Sequence, residues 1–202
     1  WKMGGQPLVQ RLHDKSHDWD DLNKLIPHML LEGIMGYPFS CPDMIGGGQF
    51  TSFLDDAPID QELVVRSTQV HALMPMMQFS VAPWRILDER HFKAVLDAVN
   101  LRNKFKETIL NLAKKASTTG EPIVRSMEYV YPHKGYVEIT DQFMLGNSIL
   151  VAPYLSKGEG SRKVILPKGT WKSDAGKVYK GGKSITINVP LTRLPYFTRE
   201  GL

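Results

Sequence analysis

Near residue 120 the apolar pattern of this chain changes its period, and that change restricts the folds open to it. Before it, apolar residues recur at helical spacing. Trp19, Leu22, Ile26, Met29 and Leu30 form one stripe over residues 19–31; Phe92, Val95, Leu96, Val99, Phe105, Ile109, Leu112 and Ala116 form another over 89–117. Asp18 stands where a cap is needed, Pro27 should kink or shorten the first helix, and Gly120 should stop the second. Two strand-like pieces, IMGYPF and MQFSVAPW, lie between them, an alternation typical of β/α units around a parallel sheet. Beyond residue 120 the chain becomes a series of short β-rich runs: IVRSMEYVYP, SILVAPYL, KVILP, SITINVPL and YFTREG. Gly, Pro and Lys punctuate them, which predicts an antiparallel sandwich or small barrel. Gly181-Gly182 is predicted to turn a hairpin between residues 178–179 and 184–189.

Composition removes several classes. At 202 residues the chain has room for one domain, or one and a part, and 42% hydrophobic residues exclude wholesale disorder. No apolar run approaches the roughly 20 residues that span a bilayer as a helix. One cysteine, Cys41, excludes an internal disulfide framework and a cysteine-rich zinc site. The net charge of +4 is spread along the sequence, so a solvated surface is expected and nucleic acid is not an expected partner. The chain opens WKMGGQPLVQ, with no initiator Met and no signal-peptide core, as the interior of a longer protein would.

Three polar clusters fall where β/α loops should be. The first, QRLHDKSHDWDD, holds His13, Asp14, His17, Asp18, Asp20 and Asp21. Its later acids suit the positive end of the first helix. His13 and His17 have the i,i+4 spacing of metal ligands but no HExxH context, so no metal is assigned to them. The second, SCPDMIGGGQF, puts Asp43 after an apolar strand and before three glycines that lack the spacing of a phosphate-binding loop. The third, MPMMQFSVAPW, places Gln78, Ser80 and Trp84 at another strand end, with Met74, Met76 and Met77 expected in the core or lining a cleft.

Taken in order, these motifs resemble glycoside hydrolase family 31. An acid/base Asp followed five residues later by Trp, an acidic pair and Leu is matched by Asp14, Trp19, Asp20, Asp21 and Leu22. The strand ending in Asp-x-x-Gly is matched by GYPFSCPDMIGGG with Asp43, and the R-x-x-Q…P-x-M segment by Arg66, Gln69, Pro75 and Met77. GEPIVRSMEYVYP, DQFMLGNSILVAPY, LPKGTW, PLTRLP and FTREG complete the series to the end of the chain. Three positions depart from the common α-glucosidase pattern: Arg11 replaces an aromatic residue, His13 a glycine, and Gln78-Phe79-Ser80 an Arg-Asn-His. The CPDMIGG and PxMQFSxxPW strings are similar to a divergent branch that includes bacterial α-galactosidases and an animal myogenesis-regulating glycosidase.

The resemblance implies the C-terminal half of a (β/α)8 barrel over 1–130 followed by a β-sandwich over 131–202. It implies a retaining α-glycosidase of the α-glucosidase or α-galactosidase type that removes terminal α-linked sugars from oligosaccharides. Asp14 would be its acid/base, Asp43 would bind sugar hydroxyls, and Arg11, Gln78, Ser80 and Trp84 would line the same subsite. No metal or organic cofactor is implied. Such enzymes also need a nucleophilic carboxylate about 5–5.5 Å from the acid. In the family it lies on an earlier strand, whose motif these residues do not contain, so the chain is expected to be inactive alone and to partner the N-terminal half of the same enzyme. A periplasmic or secreted setting is expected. A non-catalytic carbohydrate-binding or scaffolding protein on the same fold is the alternative.

Overall fold

The computed structural model describes residues 9–46 and 58–201; Gly47 and Gly48 of the glycine run lie outside them. Both expected helices form. The first, α1 (Trp19–Ile34), starts at Asp18, whose carboxylate accepts the Asp21 amide at 2.8 Å. It runs through Pro27 and buries Leu22, Leu25, Ile26, Met29, Leu30 and Gly33. Gly33 must be small, because a Cβ there would lie 2.9 Å from that of Pro122. Between α1 and the other expected helix lies α2 (Gln61–Ala72), which the sequence reading did not anticipate. Its residues from Leu63 to Ala72 are all buried, five of them polar, so no apolar stripe marks it. The long helix α3 (Glu89–Thr119) ends on Gly120 at φ 73°, whose N–H closes onto Ala116. From α3, Arg102 donates to the carbonyls of His71, Ala72, Met74 and Pro75 at 2.8–3.5 Å, satisfying the free C-terminal end of α2.

The parallel layer is smaller than expected. Strands β1 (Gln10–Arg11) and β2 (Ser40–Cys41) pair in parallel over two residues each, and one parallel bridge joins Ile45 to Phe79. The half barrel predicted over 1–130 is therefore not formed by the described residues. Pro42 follows β2 directly and has no N–H with which to extend the ladder, and Asp43 then turns away at φ 71°. IMGYPF proves to be the end of α1 and its turn. MQFSVAPW supplies the bridge at Phe79 and a 3-10 turn at Pro83–Arg85.

The strand-rich part is antiparallel, as expected. Strands β3 (Val124–Arg125), β4 (Phe143–Leu145), β5 (Ile149–Val151), β7 (Thr170–Ser173), β8 (Val178–Lys180) and β10 (Tyr196–Glu200) form one sheet in the order β3-β4-β5-β10-β7-β8. Strands β6 (Gly160–Leu166) and β9 (Lys183–Val189) pair as a second. A four-residue helix, α4 (Met127–Val130), follows β3. Alternation along the large sheet gives it two apolar faces. Phe143, Leu145, Ile149, Val151 and Tyr196 pack with the apolar stripes of α1 and α3; Met144, Leu150, Ala152 and Phe197 pack with Val164, Leu166, Ile187 and Val189 of the second sheet. The molecule is thus three layers: helices, large sheet, small sheet. Trp171 is fully buried in the second core and donates its indole N–H to Pro167 O at 2.8 Å.

Gly181-Gly182 does not turn the predicted hairpin. Strand β8 pairs with β7 and β9 with β6, so the two glycines carry the chain from one sheet to the other. A Cβ at Gly181 would stand 1.9 Å from Pro167 O, and its N–H binds Gly169 O at 2.8 Å, so only glycine lets the backbones approach this closely. Among the described residues no helix is long and apolar enough to cross a membrane.

Candidate functional site

The register of the parallel pair, Gln10 opposite Ser40 and Arg11 opposite Cys41, brings the loops after β1 and β2 to the same end of the ladder. Asp14 lies on the first loop and Asp43 on the second. Arg11 joins them: one guanidinium nitrogen donates to Asp43 Oδ1 and the other to Asp14 Oδ1 at 2.5 Å. These hydrogen bonds and charges, the one to Asp14 foremost, raise the Arg11 pKa further and keep it a permanent cation. Asp43 Oδ2 accepts the backbone N–H of Lys15 at 3.1 Å. The Lys15 ammonium stands 3.6 Å from the same oxygen and donates to Met44 O at 2.8 Å. Burial lowers the Lys15 pKa, with the Asp43 charge acting against that shift.

The two carboxylates differ in access. The Asp14 side chain is 61% exposed and that of Asp43 0%, with Arg11 between them at 40%. Both Asp43 oxygens are engaged by Arg11 and Lys15; Asp43 fixes Arg11, and Arg11 presents the outward surface.

A second layer secures Asp43. Its left-handed backbone is unusual for a residue with a side chain. Its carbonyl accepts from Cys41 Sγ at 3.4 Å and contacts His71 Nε2 at 3.3 Å, while His71 Nδ1 contacts Ser67 O at 2.7 Å. Burial, aided by the Lys15 charge, drives the His71 pKa down to about 3, so the ring is neutral. Burial likewise pushes the Cys41 thiol up and keeps it a donor. His71 and Ser67 belong to α2, and neither was among the sequence candidates.

The remaining candidates are dispersed. Ser80 donates its N–H and its hydroxyl to Ile45 O at 3.0 and 2.9 Å, so its side chain serves the bridge between the Asp43 and Gln78 loops. Gln78 is exposed, and Trp84 is 70% exposed on the 3-10 turn. Among the described residues no hydrogen bond or ion pair joins the side chains of Gln78, Ser80 or Trp84 to Asp14 or Asp43. Met74 is buried, whereas Met76 lines an apolar hollow with Phe39 and Ile109. The Arg66 and Gln69 motif works elsewhere. Both side chains are buried and reach the strand-rich part, Arg66 at Pro190 O (3.3 Å) and Gln69 at Leu191 O (2.6 Å), with the guanidinium 4.9 Å above the Tyr154 ring. Trp19 donates to Asp60 at 3.1 Å, and the same carboxylate oxygen accepts Lys157 at 2.8 Å.

Comparison with known proteins adds a second line of evidence. Residues 120–202 match the glycosyl hydrolase family 31 C-terminal domain. The myogenesis-regulating glycosidase of Mus musculus is 36% identical over 93% of this chain and 28% of its own length. The SITS-binding protein of Tetronarce californica is 30% identical over 96% of the chain and 28% of its own. Among solved structures, a GH31 α-xylosidase from a soil metagenome, complexed with xylose, superposes with a TM-score of 0.84 at 26% identity, covering 95% of this chain and 32% of that one. A GH31 dextranase of Flavobacterium johnsoniae gives a TM-score of 0.78 at 27% identity, covering 91% and 23%. The chain therefore spans less than a third of the length of each of these proteins.

Proposed function

Because the chain belongs to glycosyl hydrolase family 31, we propose that it is the acid/base-bearing part of a retaining α-glycosidase acting on terminal α-linked sugars. The observation that carries this reading is the Arg11 clasp, which holds an exposed and a buried carboxylate at the same end of two parallel strands. Asp14 protonates the glycosidic oxygen as the bond breaks, then deprotonates the water that releases the glycosyl-enzyme. Arg11, immobilised by Asp43, offers its outward N–H groups to sugar hydroxyls. The nucleophile belongs to the part of the protein upstream of these residues, and the division between the site-bearing and strand-rich parts is placed at 130/131. Arg11 and Ser80, standing where α-glucosidases carry other residues, favour α-galactosides over α-glucosides; kcat/KM for the two nitrophenyl glycosides on the full-length protein tests that choice.

The test of the reading itself is Asp14→Asn in the full-length protein. Substrates with poor leaving groups should slow by about 10²–10⁴-fold, the usual worth of positioned acid catalysis. Activated aryl glycosides should pass the first step and stall as the covalent intermediate, and azide, which needs no base, should restore turnover with retained configuration. Equal slowing of all substrates without azide rescue would overturn the assignment. A full-length protein that binds oligosaccharide and turns over no glycoside would favour a second, non-catalytic reading. That reading draws on the 2.5 Å ion pair that engages Asp14, and on a relative named for binding rather than hydrolysis.

A further inference from the structure

At the end of the β6–β9 ladder where Leu166 meets Lys183, on residues that include neither Asp14 nor Arg11, lies a cleft of about 500 Å³, within the roughly 300–1,000 Å³ of small-molecule sites. Its floor is Ile165 and Ser184, paired across the two strands, and one wall is the loop carrying Tyr131 and Tyr136. Around it stand Lys134, Lys163, Lys168 and Lys183, all exposed. No Asp or Glu lines the cleft, and among the described residues none of the four lysines forms an ion pair. Residues 131–202 hold eleven Lys and Arg against five Asp and Glu, so the excess positive charge of the chain resides in this part.

The cleft is built in advance of any ligand. The nearby acid Glu128 is spent on the loop itself, accepting the amides of His133 at 2.6 Å and Tyr136 at 3.2 Å. Arg199 donates to the Tyr131 hydroxyl at 3.3 Å and lies 5.6 Å from its ring centroid, fixing that ring and adding a fifth cation behind it. The floor is held on its free edge by buried Gln142, which donates to Ile165 O at 2.8 Å and accepts its N–H at 3.1 Å. At Gly182 a Cβ would come within 3.2 Å of Lys168 Cγ, so glycine keeps that corner open.

We propose that this cleft binds a short anionic oligosaccharide, its carboxylate or sulfate groups held by the four lysines and its ring faces laid against the tyrosines. Lysine supplies point charges suited to scattered anionic groups, whereas recognition of a phosphate backbone favours the arginine fork. At about 500 Å³ the cleft also lacks the room to hold several nucleotides. Tyrosine gives an apolar face for a sugar ring and a polar rim for its hydroxyls. This site is independent of the role given to Asp14, and it concerns binding away from the reacting bond.

The test is calorimetric titration of the full-length protein with a heparin-derived hexasaccharide, a hexagalacturonate, maltohexaose and single-stranded dT12. One of the two anionic saccharides should saturate at one site per chain, about tenfold or more tighter than maltohexaose, and weaken as salt rises; which of them binds tells sulfate from carboxylate. The double variant K163E/K183E, both on exposed positions, should lose that binding about tenfold or more with hydrolysis of aryl glycosides and melting temperature unchanged. Tyr136→Ala should weaken the saccharide more than it weakens inorganic sulfate. Failure of both anionic saccharides to bind, binding indifferent to K163E/K183E, or dT12 binding as tightly through the same lysines would each overturn the proposal.

Discussion

The helical and strand-rich parts bury polar groups to different ends. In the helical part Lys15, Asp43, Arg66, Ser67, Thr68, Gln69 and His71 are all buried, and most of them serve a turn or a neighbouring layer rather than their own helix. In the strand-rich part beyond residue 130 buried polar side chains are fewer, Gln142, Arg162 and Ser173, and the ladders satisfy the backbone around two apolar cores. One part spends stability on holding Asp43 and Arg11 in place. The other supplies stability through an apolar sheet covered on both faces. Damage should accordingly show in rate for the first and in melting for the second.

The largest effect on stability should come from Phe143→Ala in the full-length protein. It empties a fully buried position between helices and sheet and should cost about 3–5 kcal/mol in urea unfolding, with kcat unchanged at a permissive temperature. A fall in kcat without a fall in stability would break the division of labour. Next is acid. The unfolded chain takes a proton on His71 below about pH 6.5, which the folded state refuses until about pH 3. The unfolded state therefore binds more protons in that window, and stability falls as pH drops through it, by about 1.4 kcal/mol per pH unit. His71→Gln should flatten that slope and, by loosening the Asp43 turn, lower kcat/KM at neutral pH; an unchanged slope would remove His71 from the account. Gln69→Leu should follow at about 1–3 kcal/mol, since Leu191 O is left unpaired inside the molecule. Lys157→Ala should be the smallest, without measurable change in melting at moderate salt, because its pair with Asp60 is open to solvent. A clear loss there would mean that this contact, rather than Arg66 and Gln69, binds the two parts together.

Elements with a clean period were legible from sequence. Both α1 and α3 follow their apolar stripes, Asp18 caps where expected, and Gly120 stops α3 in the left-handed conformation. The antiparallel strands were legible because Gly and Pro separate them. Helix α2 was not, because interleaved buried polar residues from Arg66 to His71 erase the amphipathic signal. The parallel strands were overestimated, since apolar runs at residues 34–39 and 77–84 are cut by Pro38 and Pro83, and Pro42 ends β2 after two residues. Arg11 was singled out only because it departs from a pattern; that it joins Asp14 to Asp43 depends on a parallel register no local motif encodes. Lysines scattered at 134, 163, 168 and 183 read as solvated surface until strand pairing gathers them around one cleft.

The glycine crossing at residues 181–182 also orders events in time. Strands β7 and β8 are joined by a short turn and close locally, whereas β6 and β9 pair only by reaching around them, Leu166 meeting Lys183. The Gly181 N–H on Gly169 O and the Gly182 N–H on Leu166 O tie the end of that hairpin to the start of the outer ladder. The inner hairpin should therefore form first and template the outer one, because the shorter loop pays less closure entropy. In pulsed amide exchange during refolding, protection at 170–180 should precede protection at 160–166 and 183–189.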